Sequence, residues 1–146
     1  MRNGKRDIRE ILLKIQNHQS LAGVDLRNLY LSYMNLSNLD LREANFEGCK
    51  LAHAIMDGTD LSRANLANTY LTNTSFKNTN LTGALFKDAI VGGADFSGAE
   101  GLSSHVKEYL RSKGATGLSK RPRTEPVAVG LASALTEKDQ PQGRKL

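Results

Sequence analysis

Ala44-Asn45-Phe46-Glu47-Gly48-Cys49-Lys50-Leu51-Ala52-His53-Ala54-Ile55-Met56 carries the reading that decides the fold. Large apolar side chains stand five residues apart at Phe46, Leu51 and Met56, and a small one stands two residues before each, at Ala44, Cys49 and Ala54. The same spacing runs outward without a break through Leu26, Leu31, Leu36, Leu41, Phe46, Leu51, Met56, Leu61, Leu66, Leu71, Phe76, Leu81, Phe86, Val91 and Phe96. That makes fifteen consecutive units, with Leu21 as a sixteenth. The series at i−2 reads Val24, Leu29, Met34, Leu39, Ala44, Cys49, Ala54, Thr59, Ala64, Thr69, Thr74, Thr79, Ala84, Ala89, Ala94.

A period of five excludes both regular elements. On an α-helix five residues advance roughly 500°, about 140° net, so successive Leu side chains would smear around the cylinder. On a flat strand an odd spacing sends every second side chain to the opposite face. All fifteen share one interior only if the chain runs a short extended piece, i−2 to i, and then turns a corner. The corner residues agree. Position i+2 is Asn or Gly in ten of fifteen units, and these residues accept positive φ at least cost. Position i−1, facing outward, is Asp or Asn in eight of fifteen, and such short polar side chains hydrogen-bond backbone groups at a bend.

Units such as Ala44-Asn45-Phe46-Glu47-Gly48, Ala64-Asn65-Leu66-Ala67-Asn68 and Ala94-Asp95-Phe96-Ser97-Gly98 resemble the A(D/N)LXX units of the pentapeptide-repeat family, over residues 24–98. The resemblance implies an all-β solenoid, a right-handed quadrilateral β-helix with four units per coil; the period alone would also allow three sides. Roughly four coils at about 4.8 Å each give a rod near 20 Å long.

The ends are expected to be capped by short helices, because the last layer of a solenoid otherwise exposes core and unpaired backbone. Val24, Leu29, Met34 and Leu39 are bulky where later coils have Ala, Thr or Cys, which suits an end layer. Ahead of them Ile8, Ile11, Leu12 and Ile15 have the spacing of an amphipathic helix. After Gly101 either Ser103 or Ser104 can N-cap a helix holding Val106, Tyr109 and Leu110 and ended by Gly114. The expected division is therefore an N-terminal capping helix over 1–20, the β-helix over 21–101, a C-terminal helix over 102–114 and a flexible basic tail over 115–146. That tail holds all three prolines and one short apolar stretch, Val127 to Leu135.

Composition narrows the function. Nothing approaches the roughly 18–20 consecutive apolar residues of a membrane span. The one cysteine cannot form an internal disulfide, and no secretory signal is visible, so a cytoplasmic location is expected. The net charge of +5 divides into +3 over residues 1–20, −2 over 21–98 and +4 over 99–146. A near-neutral body with basic ends lacks the concentrated basic face of a nucleic-acid-binding domain, and Lys120, Arg121 and Arg123 are read as solubilising.

No catalytic constellation emerges. His18, His53 and His105 are not at metal-ligand spacing, and Cys49 lies in the inward series, where a thiol acts as a small inert hydrophobe. Asp40 and Asp60 stack one coil apart, but Arg42 and Arg63 beside them favour a solvated ladder over an acid/base pair. No enzymatic activity, cofactor or metal is expected.

The outer faces say more. At i−1 on one face Asp and Asn are absent and the column reads Tyr30, Lys50, Tyr70, Ile90. Tyr33 and His53 follow at its corner, Leu85 lies around the edge beside Ile90, and Ile55 on the neighbouring face extends the patch. Contiguous exposed aromatic and apolar surface marks interaction sites; the competing reading is a ladder in which these side chains cover one another. The sequence thus points to a non-catalytic protein-interaction module or regulatory adaptor with a protein partner and no small-molecule substrate, and to a monomer over a dimer formed through the C-terminal helix. The alternative, a DNA mimic directed at a type II topoisomerase (gyrase), asks for a longer and far more acidic rod.

Overall fold

The computed structural model describes residues 8–118. From Leu21 onward the backbone returns beside itself every twenty residues: Asp25 pairs in parallel with Asn45, Asn45 with Asn65, and Asn65 with Leu85. Three more columns of parallel bridges accompany this one: Tyr30–Lys50–Tyr70–Ile90, Asn35–Ile55–Ser75–Asp95 and Asp40–Asp60–Asn80–Glu100. The chain is wound as a solenoid whose circuits are residues 21–40, 41–60, 61–80 and 81–100. Each side holds a single bridged residue, because a five-residue side leaves room for only a short extended piece before the next corner.

The backbone satisfies itself between circuits, as buried peptide groups must. Leu26 N–H donates to the Asn45 carbonyl at 2.8 Å, Asn45 N–H donates to that of Val24 at 2.9 Å, and the corner N–H of Asn28 reaches Glu47 O at 3.0 Å. Within the corner Val24 N–H donates to Leu21 O at 3.0 Å. Outside, all eight Asp and Asn residues at i−1 accept from the amide two residues on; examples are Asn45 from Glu47 at 3.1 Å and Asp95 from Ser97 at 2.9 Å. Where Ser75 replaces such a residue, Asp57 of the circuit below accepts from Lys77 N–H at 3.1 Å instead.

All sixteen corners from Gly23 to Gly98 have positive φ, and eleven are Gly or Asn. The other five are Tyr33, Glu43, His53, Arg63 and Asp88. A left-handed conformation costs an ordinary residue roughly 1–2 kcal/mol, and four of the five recover part of it by pairing with the corner one circuit away. Tyr33 and His53 stack with ring centroids 4.8 Å apart and planes 6° from parallel, and Arg63 lies 3.1 Å from the Glu43 carboxylate.

The interior is a set of stacked columns. Leu21, Leu41, Leu61 and Leu81 are buried in one, and Leu36, Met56, Phe76 and Phe96 in another. The smaller inward positions take Ala, Cys and Thr, and every inward hydroxyl finds a carbonyl: Thr59 donates to Leu36 O at 2.6 Å, Thr74 to Leu51 O at 2.7 Å, Thr69 to Leu66 O at 2.6 Å and Thr79 to Phe76 O at 2.8 Å. Cys49 is fully buried, with Sγ 2.6 Å from Leu26 O. Buried polar groups held this way avoid the desolvation penalty.

Helix α1 spans Ile8–Gln16 and turns Ile11 and Ile15 inward, whereas Ile8 and Leu12 stand at the rim and Leu13 faces out. Ile8, Ile11, Leu12 and Ile15, with Leu29 and Met34 of the first circuit, line a small apolar cavity of about 20 Å³. Helix α2 spans Ser104–Ser112; Ser103 is its N-cap and accepts from Val106 N–H at 3.2 Å. Leu110 is fully buried, with Val106 and Tyr109 packed against the core. The expected start of the tail at residue 115 is corrected here: Ala115 is buried and Thr116 pairs in parallel with Asp95, because the chain turns back after α2 and lies along the fourth circuit. The remainder of the expected tail, 119–146, and residues 1–7 of the expected N-terminal helix lie outside the described residues.

Candidate functional site

The outward positions of the second column have no Asp or Asn in any circuit, so the amides of Ser32, Ala52, Thr72 and Gly92 are without the local side-chain acceptor found elsewhere among the described residues. Strand pairing instead holds Tyr30, Lys50, Tyr70 and Ile90 in one line up the solenoid. The Lys50 ammonium sits between two rings, 5.1 Å from the Tyr30 centroid and 4.5 Å from that of Tyr70. Such cation–π contacts contribute about 0.5–1 kcal/mol at exposed sites.

The face remains open to solvent despite this contact. Tyr30 is 80% exposed, Tyr33 74%, Leu85 57%, Ile90 49% and Tyr70 42%. Tyr33 and His53 form their stacked pair at the following corner, exposed on the same flank. Leu85 belongs to the preceding column, bridged to Asn65, and Ile55, also exposed, to the following one, bridged to Asn35 and Ser75. The structure therefore joins Tyr30, Lys50, Tyr70 and Ile90 directly, links Tyr33 to His53, and sets Leu85 around a corner. The Tyr33–His53 stack has no local sequence signal beyond two ring-bearing corners twenty residues apart.

The other candidates are occupied structurally. Asp40 and Asp60 are bridged neighbours, but each carboxylate serves its own turn. Asp40 takes two bonds from the Arg42 guanidinium, at 2.7 and 2.8 Å, and one from the Ser20 hydroxyl at 2.5 Å, whereas Asp60 accepts from Ser62 N–H at 3.0 Å. Arg42 and then Ser20 hold the Asp40 carboxyl well below the usual carboxylate range. The sign follows from linkage: a carboxyl more acidic folded than unfolded adds stability above about pH 4, and that contribution is lost as the pH falls. Urea melts of Asp40→Asn and wild type at pH 6 and pH 3 are expected to show a smaller acid-induced loss in the variant. An equal loss would place the acid sensitivity elsewhere.

Among the described residues no group of three or more His, Cys, Asp or Glu is arranged to hold a metal ion, and no helix is long and apolar enough to cross a membrane.

A family model for pentapeptide repeats matches residues 20–58 and 59–98, in eight copies. Among solved structures, the pentapeptide repeat protein alr5209 from Nostoc PCC 7120 superposes with a TM-score of 0.60 at 24% identity, over 74% of this chain and 89% of that one. Rfr23, from the cyanobacterium Cyanothece 51142, matches at 21% identity and a TM-score of 0.33 over 64% of this chain and 88% of its own. HetL, from Nostoc sp. strain PCC 7120 and involved in heterocyst differentiation regulation, matches at 28% identity and a TM-score of 0.33 over 56% of this chain and 44% of its own. No curated protein matches the chain.

Proposed function

We propose a non-catalytic protein-binding role for this chain, which belongs to the pentapeptide-repeat family. The binding face is the second column and its flanks: Tyr30, Tyr33, Lys50, His53, Tyr70, Leu85 and Ile90. The observation that carries the reading is the loss of the outward Asp or Asn on this column in all four circuits, while each of the other three columns retains it at least once. A hydrogen bond of that kind contributes about 0.5–1.5 kcal/mol net, and the residues standing in its place hold large apolar surface in water. Mutual stacking accounts for Tyr30, the Lys50 stem and Tyr70. It does not account for Ile90 and Leu85, nor for a Tyr33 ring left three-quarters exposed. Exposed aromatic clusters of this kind supply the anchors of protein interfaces.

In the same reading α1 and α2 close the two ends of a right-handed, four-circuit β-helix. Burial of Leu110 against the last circuit supports a monomer, because the central apolar residue of α2 is already spent on its own chain.

A pull-down from lysate with the intact protein, run beside a Tyr30→Ser/Tyr70→Ser double variant shown by circular dichroism to be folded, tests the face. A partner held by the intact protein is expected to bind the variant about thirtyfold more weakly or worse, the range for loss of interface anchors. Equal retention by both would remove the face from the proposal, and equal retention of gyrase subunits would favour a DNA-mimic role.

A further inference from the structure

The fourth circuit ends in two kinds of edge. Along Gly93–Phe96 the chain returning from α2 adds a layer: Gly93 N–H donates to Gly114 O at 2.9 Å, Phe96 N–H to Thr116 O at 2.9 Å, and Thr116 N–H to Ala94 O at 2.8 Å. On the two preceding sides no described residue does so. One circuit below, the equivalent groups are all engaged: Leu66 N–H with Leu85 O at 2.8 Å, Asn68 N–H with Lys87 O at 2.9 Å, Leu71 N–H with Ile90 O at 2.7 Å, and Leu85 N–H with Ala64 O at 3.0 Å. The register therefore leaves the N–H groups of Phe86, Asp88 and Val91 and the carbonyls of Ala84 and Ala89 without a backbone partner among the described residues. Between this rim and α2 lie two adjoining cavities. One, of about 400 Å³, is lined by Phe86, Lys87, His105, Val106 and Tyr109 among others. The other, of about 310 Å³, is lined by Ala89, Ile90, Val91, Tyr109 and Lys113 with Asp88.

We propose that this open rim is a docking groove for an extended, acidic segment of a partner protein, which adds to the solenoid as one further layer over residues 84–91. Unpaired strand edges take up extended peptides through main-chain hydrogen bonds, and the Thr116 segment shows this rim accepting a strand on its next side. The donors and acceptors are in the register of the circuits below, so the occupant must bend at the corner formed by Asp88, at φ 58°. That bend calls for Gly or Asn. Inward positions must be apolar to meet Phe86, Val106 and Tyr109. Charge selects among occupants: Lys87 and Lys113 flank the groove against the single carboxylate of Asp88. The chain's own continuation is unsuited, since residues 119–126 carry Lys120, Arg121 and Arg123 against Glu125 alone. A second copy is unsuited too, because α2 stands across the end with Leu110 seated in the core and holds another flat end away. The groove adjoins the tyrosine face at Leu85 and Ile90, which line it as well, but its test reads main-chain hydrogen bonds and leaves Tyr30 and Tyr70 in place.

The probe is a labelled peptide of sequence Asp-Ala-Asp-Leu-Glu-Gly-Ala-Asp-Leu-Glu, titrated into the full chain by fluorescence anisotropy. Saturable binding is expected, weakened about tenfold when a rim-facing peptide N–H is methylated, the effect of one lost main-chain hydrogen bond, and unchanged when a solvent-facing one is. Lys87→Glu/Lys113→Glu is expected to weaken it by a further factor of about ten. In hydrogen exchange the amides of Phe86, Asp88 and Val91 exchange rapidly in the free protein and become protected with peptide. Equal binding of the rim-methylated peptide overturns the proposal. So does protection of those amides in the free protein, whether by the chain's own continuation or by self-association seen in sedimentation.

Discussion

Phe76→Ala is expected to lower stability by about 3–5 kcal/mol, the cost of truncating a buried aromatic where the surroundings cannot close the gap. Phe76 is fully buried in the third circuit. Its ring stacks on Phe96 directly above, with centroids 4.8 Å apart and planes 7° from parallel, and meets the edge of Phe86 at 6.5 Å and 82°. Phe86 and Phe96 meet at 5.8 Å. Three rings thus fill the upper core, and Phe76 and Phe96 are pinned by a backbone ladder, their N–H groups donating to Asp95 O at 2.7 Å and Thr116 O at 2.9 Å. The loss would be a large share of the roughly 5–15 kcal/mol that holds a domain folded. Urea unfolding followed by circular dichroism measures it. A loss below about 1 kcal/mol would mean that Phe86 and Phe96 collapse into the vacated space and that the core is softer than close packing implies. Because each circuit contacts only its neighbours, amide exchange should quicken first in the third and fourth circuits.

Gly48→Ala is the second large effect, expected at about 2–4 kcal/mol from two separable causes. Gly48 has φ 75°, which an Ala reaches only at a cost of roughly 1–2 kcal/mol. A Cβ there would also collide with the amide oxygen of Asn28, one circuit below. Gly23 separates the two, since it has nearly the same φ, 74°, and nothing within 4 Å of the place a Cβ would take. Gly23→Ala should therefore show the conformational cost alone. Asn28→Gly should return Gly48→Ala to about that same cost, and the difference in a double-mutant cycle gives the collision. If Gly48→Ala and Gly23→Ala cost the same, the Asn28 side chain swings aside freely and glycine is needed here for its dihedral angle only. The same arrangement recurs at Asn38 with Gly58, Asn73 with Gly93 and Asn78 with Gly98.

Much of this was legible beforehand because the governing rule is local. A residue such as Leu51 must point inward if the chain turns a corner every fifth residue, and the Asx bond of Asn45 to Glu47 spans only two positions. The Asn–Gly corner pairs carried a weaker trace: each residue is a good corner by itself, and their contact exists only once the circuit length is twenty. Four of the five corners without Gly or Asn were illegible in that sense, because what steadies Tyr33 is the ring of His53 and what steadies Arg63 is the carboxylate of Glu43. The candidate face was legible as a missing Asp or Asn in one column, with Leu85 and Ile55 on its flanks, but the Tyr33–His53 stack and the seating of Lys50 between two rings needed the structure.

By itself the sequence determined the period, the inward and outward sides and the corner chemistry, since each depends on residues within one five-residue unit and on elementary backbone sterics. Tertiary structure alone decided what happens at the end of the solenoid. Nothing in Ala115 or Thr116 announces that they pair with the fourth circuit, for that depends on how far α2 carries the chain before it turns back. The same return covers one side of the last circuit, while among the described residues the rim from Ala84 to Val91 has no strand above it. A strand edge depends on where distant parts of the chain run, and no local pattern records it.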